Sequence, residues 1–309
     1  MIRFCFERIF QLLLVMFSVS TFTFILLRLS PGDPASIILS MNDVPVTEKA
    51  LTDLRIELGL TESLWTQYIQ WLMDVFTGQW GISYVSKEPV VDELLRRLPA
   101  TLELAIAGLL VMVSITFILG IGTAIYSNGY FDRIGQFMAL LGSAIPSFWL
   151  AFILIYFFSV QFGWFPSMGR GNWQNLVLPS ITLGLGMGTI YARLLRANML
   201  ELMNQTFVKA AKARGISKSR ILLFQVLKHA FLPIVTMLGT SFAFMLGGSI
   251  IIESIFSWPG LGRYIIEAIS LRDYPVIQGY VIFASFLFVS IHILVDMIYV
   301  ILDPRLRAG

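Results

Sequence analysis

Six stretches of this chain carry no Asp, Glu, Lys or Arg: residues 9–27, 104–126, 134–165, 171–192, 230–252 and 274–295. A helix needs ~20 apolar residues to cross the hydrocarbon core of a bilayer, and each stretch comes close to that length or exceeds it. They are apolar all round, so no single helical stripe is legible, as holds for helices that face lipid or fill a bundle interior. Lipid leaves a bare backbone without partners, which favours helices for the crossing. Charged residues make up only 13% of the chain, against ~25% in soluble domains, and mean hydropathy is +0.78. The expected fold is an all-α polytopic membrane protein. It has six transmembrane helices, a helical extracytoplasmic insertion between the first two and a cytoplasmic helix between the fourth and fifth.

The run 134–165 exceeds one straight span. The reading is one helix near 137–162 bent at Pro146, with neighbouring helices satisfying the freed carbonyl, since no polar turn divides it. The first run follows Arg3 and Arg8, as a secretory signal would. Its apolar core is longer than a signal's, however, and 29–33 offers no small-x-small cleavage site, so it reads as a retained span. Cys5 is the single cysteine; it forms no internal disulfide and reads as an inert packed thiol.

With the N-terminus inside, the cytoplasmic side collects thirteen basic residues: Arg3, Arg8, Arg133, Arg193, Arg196, Lys209, Lys212, Arg214, Lys218, Arg220, Lys228, Arg305 and Arg307. Only Glu7, Asp132, Glu201 and Asp303 oppose them there. The short outer loops hold Arg170, Arg263 and Arg272, so the positive-inside rule puts both termini in the cytoplasm. Trp164, Trp173 and Trp258 then fall near the outer headgroups. The net charge of +3 reports topology rather than nucleic-acid binding.

The expected organisation is a first helix within 1–29, an extracytoplasmic helical segment over 30–99, and a five-helix core over 100–309 with a cytoplasmic loop at 197–229. In the outer segment, Thr47 caps a helix that Gly59 stops. A second helix capped at Thr61 is amphipathic, with Leu64, Trp65, Tyr68, Ile69, Leu72, Val75 and Phe76 on one face. Such a segment can pack on the membrane, receive a partner or act as a plug, and periodicity leaves these open. Pro89 opens a short helix that leads into the second span.

Several chemistries are absent. There is no GxxxxGK[ST] phosphate loop, so ATP is not bound by that route. The glycines of 184–188 do not match GxGxxG, and their spacing in an apolar span predicts close helix packing. Two histidines and one cysteine supply no protein metal cage of the usual ligand count, and no nucleophile–base–carboxylate set stands out, so no catalytic or metal residues are assigned. His292 and Asp296, one turn apart in the last span, suggest either a proton relay or an interhelical tie. Glu253, at the outer end of the fifth span, can touch cargo or bond to the loop that follows.

The stretch 207–233, FVKAAKARGISKSRILLFQVLKHAFLP, is the basic exception between two apolar runs. Ala210, Ala211 and Ala213 among Lys209, Lys212 and Arg214 favour helix and leave a smooth surface for close approach. Gly215 permits a tight C-terminal turn, Ser217 can cap a second helix, and Pro233 marks entry to the fifth span. A retention signal or an anionic-lipid contact needs charge but not this order, which points to a docking element.

Here the chain resembles the permease subunits of bacterial ATP-binding-cassette importers, in the dipeptide, oligopeptide and nickel branch. Lys209-Ala210-Ala211-x-x-x-Gly215 looks like the superfamily's Glu-Ala-Ala-x-x-x-Gly coupling motif. It departs from it in Lys209 and in the eighteen residues from Gly215 to Pro233, a spacing similar to this branch. In the same order come RLSPGDPA (28–35), WGIS (80–83), LPATLELA (98–105), IPSFWLA (145–151), SWPGLGR (257–263), RDYPVIQ (272–278) and LDPRLR (302–307).

The resemblance implies a translocation subunit of the bacterial cytoplasmic membrane, not an enzyme. A homologous second permease, two ATPase subunits, an extracytoplasmic solute-binding protein and membrane lipid are its partners. This chain binds no cofactor, ATP and Mg being held by the ATPases. Lys209, Ala210, Ala211, Ala213, Arg214 and Gly215 form the ATPase-docking coupling helix, while Glu253, His292 and Asp296 serve the translocation path or the structure. The cargo is a small peptide or nickel, free or chelated. The short outer loop at 163–179 resembles nickel and glutathione members, and the sequence reading leans to nickel. The competing reading is an ion-coupled secondary transporter using Asp296 and His292, which predicts inverted repeats; a membrane-embedded hydrolase is a third reading without support in the residues.

Overall fold

The computed structural model describes residues 2–29, 33–41 and 45–302, and the regular elements among them are helices, apart from one antiparallel bridge between Ile82 and Pro89. In chain order these are α1 (Ile2–Leu29), α2 (Pro34–Met41), α3 (Glu48–Glu57), α4 (Leu64–Phe76), α5 (Val90–Ile125), α6 (Tyr130–Ala144) and α7 (Ser147–Leu154), the last continued by a π-helical stretch, Ile155–Gln161. There follow α8 (Trp173–Met203), α9 (Thr206–Ala213) and α10 (Lys218–Ile221), which runs through π-helical Leu222–Val226 into α11 (Leu227–Gly248). The chain continues with α12 (Ile250–Ile255), α13 (Leu261–Ser270) and α14 (Tyr274–Leu302). Among the described residues four helices are long and apolar enough to cross a bilayer, in α1, α5, α8 and α14, and the number rises to as many as six if each of two bent helix pairs counts as one span.

Helices α5 and α8 carry charged residues beyond their apolar parts. At 1.5 Å per residue, the 36 residues of α5 extend ~54 Å against a hydrocarbon core of ~30 Å. Its first turns carry Asp92, Glu93, Arg96 and Arg97 and therefore lie outside the core. The short helix expected before the second span is thus the same helix, passing through Pro99 without a break. The 31-residue α8 likewise carries Arg193, Arg196 and Glu201 beyond its apolar part.

The run 134–165 departs from expectation. The sequence predicts one bent helix, whereas the chain turns by 107° between α6 and α7. Proline disfavours helical geometry in the preceding residue and donates no hydrogen bond. Ile145 is extended with ψ 124°, and Pro146 follows at ψ 137° as the N-cap of α7. No polar turn is needed because the ends are satisfied locally: the Ile145 N–H donates to the Leu141 carbonyl and the Leu150 N–H to the Pro146 carbonyl, both at 3.0 Å. Pro233 differs in the opposite sense. It does not open the fifth helix but lies inside α11, with a bend of 43° between 218–231 and 233–247.

The chain divides into two compact units, residues 1–100 with 260–290 and residues 101–259 with 291–309. In the first, Thr47 caps α3 by accepting from the Ala50 N–H, and Gly59 at φ +64° ends the helix. The cap of α4 is Ser63, not Thr61: its hydroxyl accepts from the Thr66 N–H at 3.1 Å, leaving Thr61 and Glu62 in the preceding turn. Tyr68 of α4 packs on Phe24 of α1 edge to face, and Trp71 stacks on Phe24.

In the second unit α8 is the element on which α6, α7, α11 and α12 pack. The glycine spacing has the predicted meaning. A Cβ on Gly184 would lie 2.4 Å from the Gly108 carbonyl oxygen, and one on Gly188 3.0 Å from the Met112 carbonyl oxygen, so α8 and α5 meet backbone to backbone. Gly142 of α6 makes the matching approach to Thr189 of α8. The loop 163–172 is tied by the Gly169 N–H to the Phe256 carbonyl (2.8 Å) and by Arg170, which pairs with Glu103 at 2.7 Å and lies over the Trp258 ring.

Candidate functional site

The alanine-rich segment folds as α9, and its helical period splits the motif into two faces. Val208 and Ala211 are buried in a cluster with Leu195 and Met199 of α8, Ile221 and Leu222 after the turn, and Ala230 and Ile234 of α11. Lys209, Ala210, Lys212, Ala213, Arg214 and Gly215 are exposed. Ala211 therefore does not belong to the smooth outer surface that the sequence suggests. It is an anchor, buried in the cluster to which α8 and α11 also contribute. Ala210 and Ala213 remain as the small residues of the outer face.

The helix ends in a glycine-dependent turn. Gly215 sits at φ +74°, its N–H donates to the Lys212 carbonyl (3.0 Å), and the Ile216 N–H donates to the Ala211 carbonyl (3.2 Å), a Schellman arrangement that favours glycine. Ser217 occupies the N-cap of α10 without a side-chain bond to it. Phe207 meets the His229 ring edge to face at 6.0 Å. Among the described residues, Lys209, Lys212, Arg214, Lys218 and Arg220 form no ion pair, so this corner presents an uncompensated positive face.

A tie missed by the sequence reading lies on the same unit. Arg196 of α8 grips Asp132 of α6 in a two-pronged pair, Nε to Oδ1 and a terminal amine to Oδ2, both at 2.8 Å. Asp132 is 2% exposed and also accepts from the Asn128 N–H (2.8 Å) and the Gln136 amide (2.7 Å). Counted singly, the two residues read only as topology charges. Their pairing across 64 residues leaves no periodic signal, although an Asp just inside a helix start is a usual hint of a bonded carboxylate.

Glu253 is fully buried and accepts from the hydroxyls of Thr101 and Ser249, both at 2.8 Å. Its carbonyl receives the Trp258 N–H at 2.8 Å, so it braces the loop that follows it. His292 is half-buried in α14. The side chain of Asp296 lies outside the described residues, as do those of Cys5, Arg3 and Arg8 and the tail bearing Arg305 and Arg307. Among the described residues no three His, Cys, Asp or Glu side chains converge in a way that would hold a metal ion.

In the other unit, two of the motifs meet. Asp273 of RDYPVIQ accepts from the Ser83 hydroxyl of WGIS at 2.6 Å and from the backbone N–H groups of Tyr84 and Val85 at 3.1 and 3.2 Å. Burial, with Asp273 close by, pushes the Tyr84 hydroxyl up to about 12. Gly81 at φ +87° brings the backbone against Pro275, and Trp80 packs edge to face on Phe283. Glu93 is buried nearby and pairs with Arg96 and Arg97, while Arg97 lies 4.2 Å from the Tyr264 ring centre.

Comparison with known proteins agrees with this architecture. Residues 116–308 match the family of binding-protein-dependent transport system inner membrane components, and residues 1–105 match that family's N-terminal component. The glutathione transport system permease protein GsiC of Escherichia coli strain K12 is 36% identical over 308 residues, covering 99% of both chains, and that of Salmonella choleraesuis is 35% identical over 307 residues, also covering 99% of both. Among solved structures, the inward-facing MetNI methionine ABC transporter aligns with TM-score 0.55 and 18% identity over 68% of this chain and 96% of that one. An amino acid ABC transporter solved with histidines aligns with TM-score 0.53 and 19% identity over 70% and 94%. The chain belongs to the binding-protein-dependent transport system inner membrane components, and is a permease subunit of an ABC importer whose ATPase is a separate subunit.

Proposed function

We propose that this permease passes a small peptide of glutathione's size across the cytoplasmic membrane, driven through the exposed face of α9 by two ATPase subunits. The observation that carries the drive is the division of α9: Val208 and Ala211 fix it to α8 and α11, while Lys209, Ala210, Lys212, Ala213 and Arg214 point away from the core. A rigid element anchored on two spanning helices and open on its other side can convert partner movement into helix movement. Gly215 lets the chain turn from α9 into α10 at once, so the push enters α11 with little slack.

ATP and Mg act at the ATPases, and this chain contributes shape and attachment. Both termini lie in the cytoplasm, a second homologous permease completes the path, and a binding protein delivers cargo from outside. The cargo reading moves from nickel to a peptide because the glutathione permeases match end to end. The ion-coupled reading draws no support from the family. The test is uptake by a strain lacking the transporter and complemented by the whole system, offered labelled glutathione, dipeptides or limiting nickel. Glutathione-class uptake that disappears in a walker-lysine variant of the partner ATPase supports the proposal, and nickel uptake alone refutes its cargo.

A further inference from the structure

The C-terminal end of α1 and the amphipathic α4 flank an open pocket of about 240 Å³, lined by Thr21, Phe24, Ile25, Arg28, Trp65 and Tyr68 among others. That is larger than the ~150 Å³ apolar cavities that take up benzene. Its hydroxyls are already committed: Thr21 donates to the Phe17 carbonyl at 2.7 Å, so the 2.6 Å bond between Tyr68 and Thr21 has Tyr68 as donor. Arg28 is different. It leans over the Phe24 ring at 5.3 Å and lies near the neutral hydroxyls of Tyr84 and Tyr274, but pairs with no carboxylate among the described residues. The cavity thus offers an apolar interior and one unmatched cation at its rim.

What lies around the opening identifies the occupant. Phe17, Phe22, Ile25 and Leu26 of α1 are exposed along a helix of bilayer length, so the cavity continues a lipid-facing surface. Trp65 is 71% exposed at its mouth, and tryptophan concentrates at the headgroup level. Met73 and Phe76 extend the apolar edge of α4, the pattern of a helix lying in the interface. A water-soluble peptide would meet apolar walls, and a neutral lipid would leave the cation unmatched. We propose that this cavity holds one acyl chain of an anionic phospholipid, with the headgroup phosphate on the Arg28 guanidinium.

The test uses the full-length chain purified with its partner subunits, stripped of lipid in detergent and titrated with phosphatidylglycerol, phosphatidylcholine or inorganic phosphate, with bound molecules counted by native mass spectrometry. One phosphatidylglycerol is expected to be retained, preferred over phosphatidylcholine by about fivefold, the ratio expected for one cation near a headgroup. Arg28→Gln should remove the preference. Ile25→Trp, which fills the cavity and leaves Arg28 in place, should remove the retained lipid, and Phe10→Ala should change nothing. Equal retention of both lipids, unaltered by Arg28→Gln, would mean ordinary boundary lipid and overturn the proposal. Full competition by inorganic phosphate, or an assembled complex that retains no lipid, would overturn it equally.

Discussion

Ser83 and Asp273, separated by 190 residues in the chain, share a buried hydrogen bond of 2.6 Å. With two backbone N–H groups on the same carboxylate, this contact closes the loop 80–89 onto the start of α14. An unsatisfied buried donor costs ~1–3 kcal/mol. Asp273→Ala is therefore expected to destabilise its unit by ~2–4 kcal/mol and expose the loop to protease, with Asp273→Asn milder. Thermal unfolding and limited proteolysis in detergent measure both effects.

The Asp132–Arg196 pair joins the start of α6 to the C-terminal part of α8. Removing one partner of a buried pair costs ~3–5 kcal/mol because the other charge stays buried. Asp132→Ala and Arg196→Ala should both lower the thermal midpoint. Arg196→Lys should recover only part of the loss, since a single ammonium cannot make both contacts. Thermal scans of the single variants and the double Asp132→Asn, Arg196→Gln variant separate pair breaking from charge burial. The double variant is expected to be the most stable of the altered proteins.

Backbone contact between α8 and α5 leaves no room at Gly184. Gly184→Val should prevent close packing and yield protein that inserts but fails to form a monodisperse complex in size-exclusion chromatography. Gly186→Ala, whose added carbon would sit in ordinary contact 3.7 Å from the Gly142 carbonyl oxygen, should be tolerated in the same assay.

At the turn after α9, Gly215→Ala places a side chain at φ +74°, which costs ~1–2 kcal/mol in the left-handed region. A lowered thermal midpoint with reduced cargo-stimulated ATP hydrolysis is expected, and Gly215→Asn should be closer to wild type because asparagine tolerates that region.

Much of this fold is legible in residue order. Uncharged runs place the spanning helices, glycines 184 and 188 mark the α5–α8 contact, and Thr47 with Gly59 bound α3. The misses share one cause: local signals do not report partners far away in sequence. Ala211 looks equivalent to Ala210 and Ala213 until α8 and α11 are packed against it. Asp132, Arg196, Ser83 and Asp273 acquire meaning only as pairs. Pro146 shows the reverse, a local rule outweighing an apolar run, because two successive extended residues separate α6 from α7.

The central claim is that ATPase movement enters through the outer face of α9, and disulfide cross-linking in the assembled transporter tests it most directly. In a Cys5→Ser background, Ala213→Cys and Ala211→Cys are each paired with cysteines scanned across the surface of the ATPase subunit. The account predicts a cross-link from position 213 that stops cargo-stimulated ATP hydrolysis until reduced, and none from buried position 211. Efficient cross-linking from 211, or full coupling with 213 locked or unreacted, would contradict it.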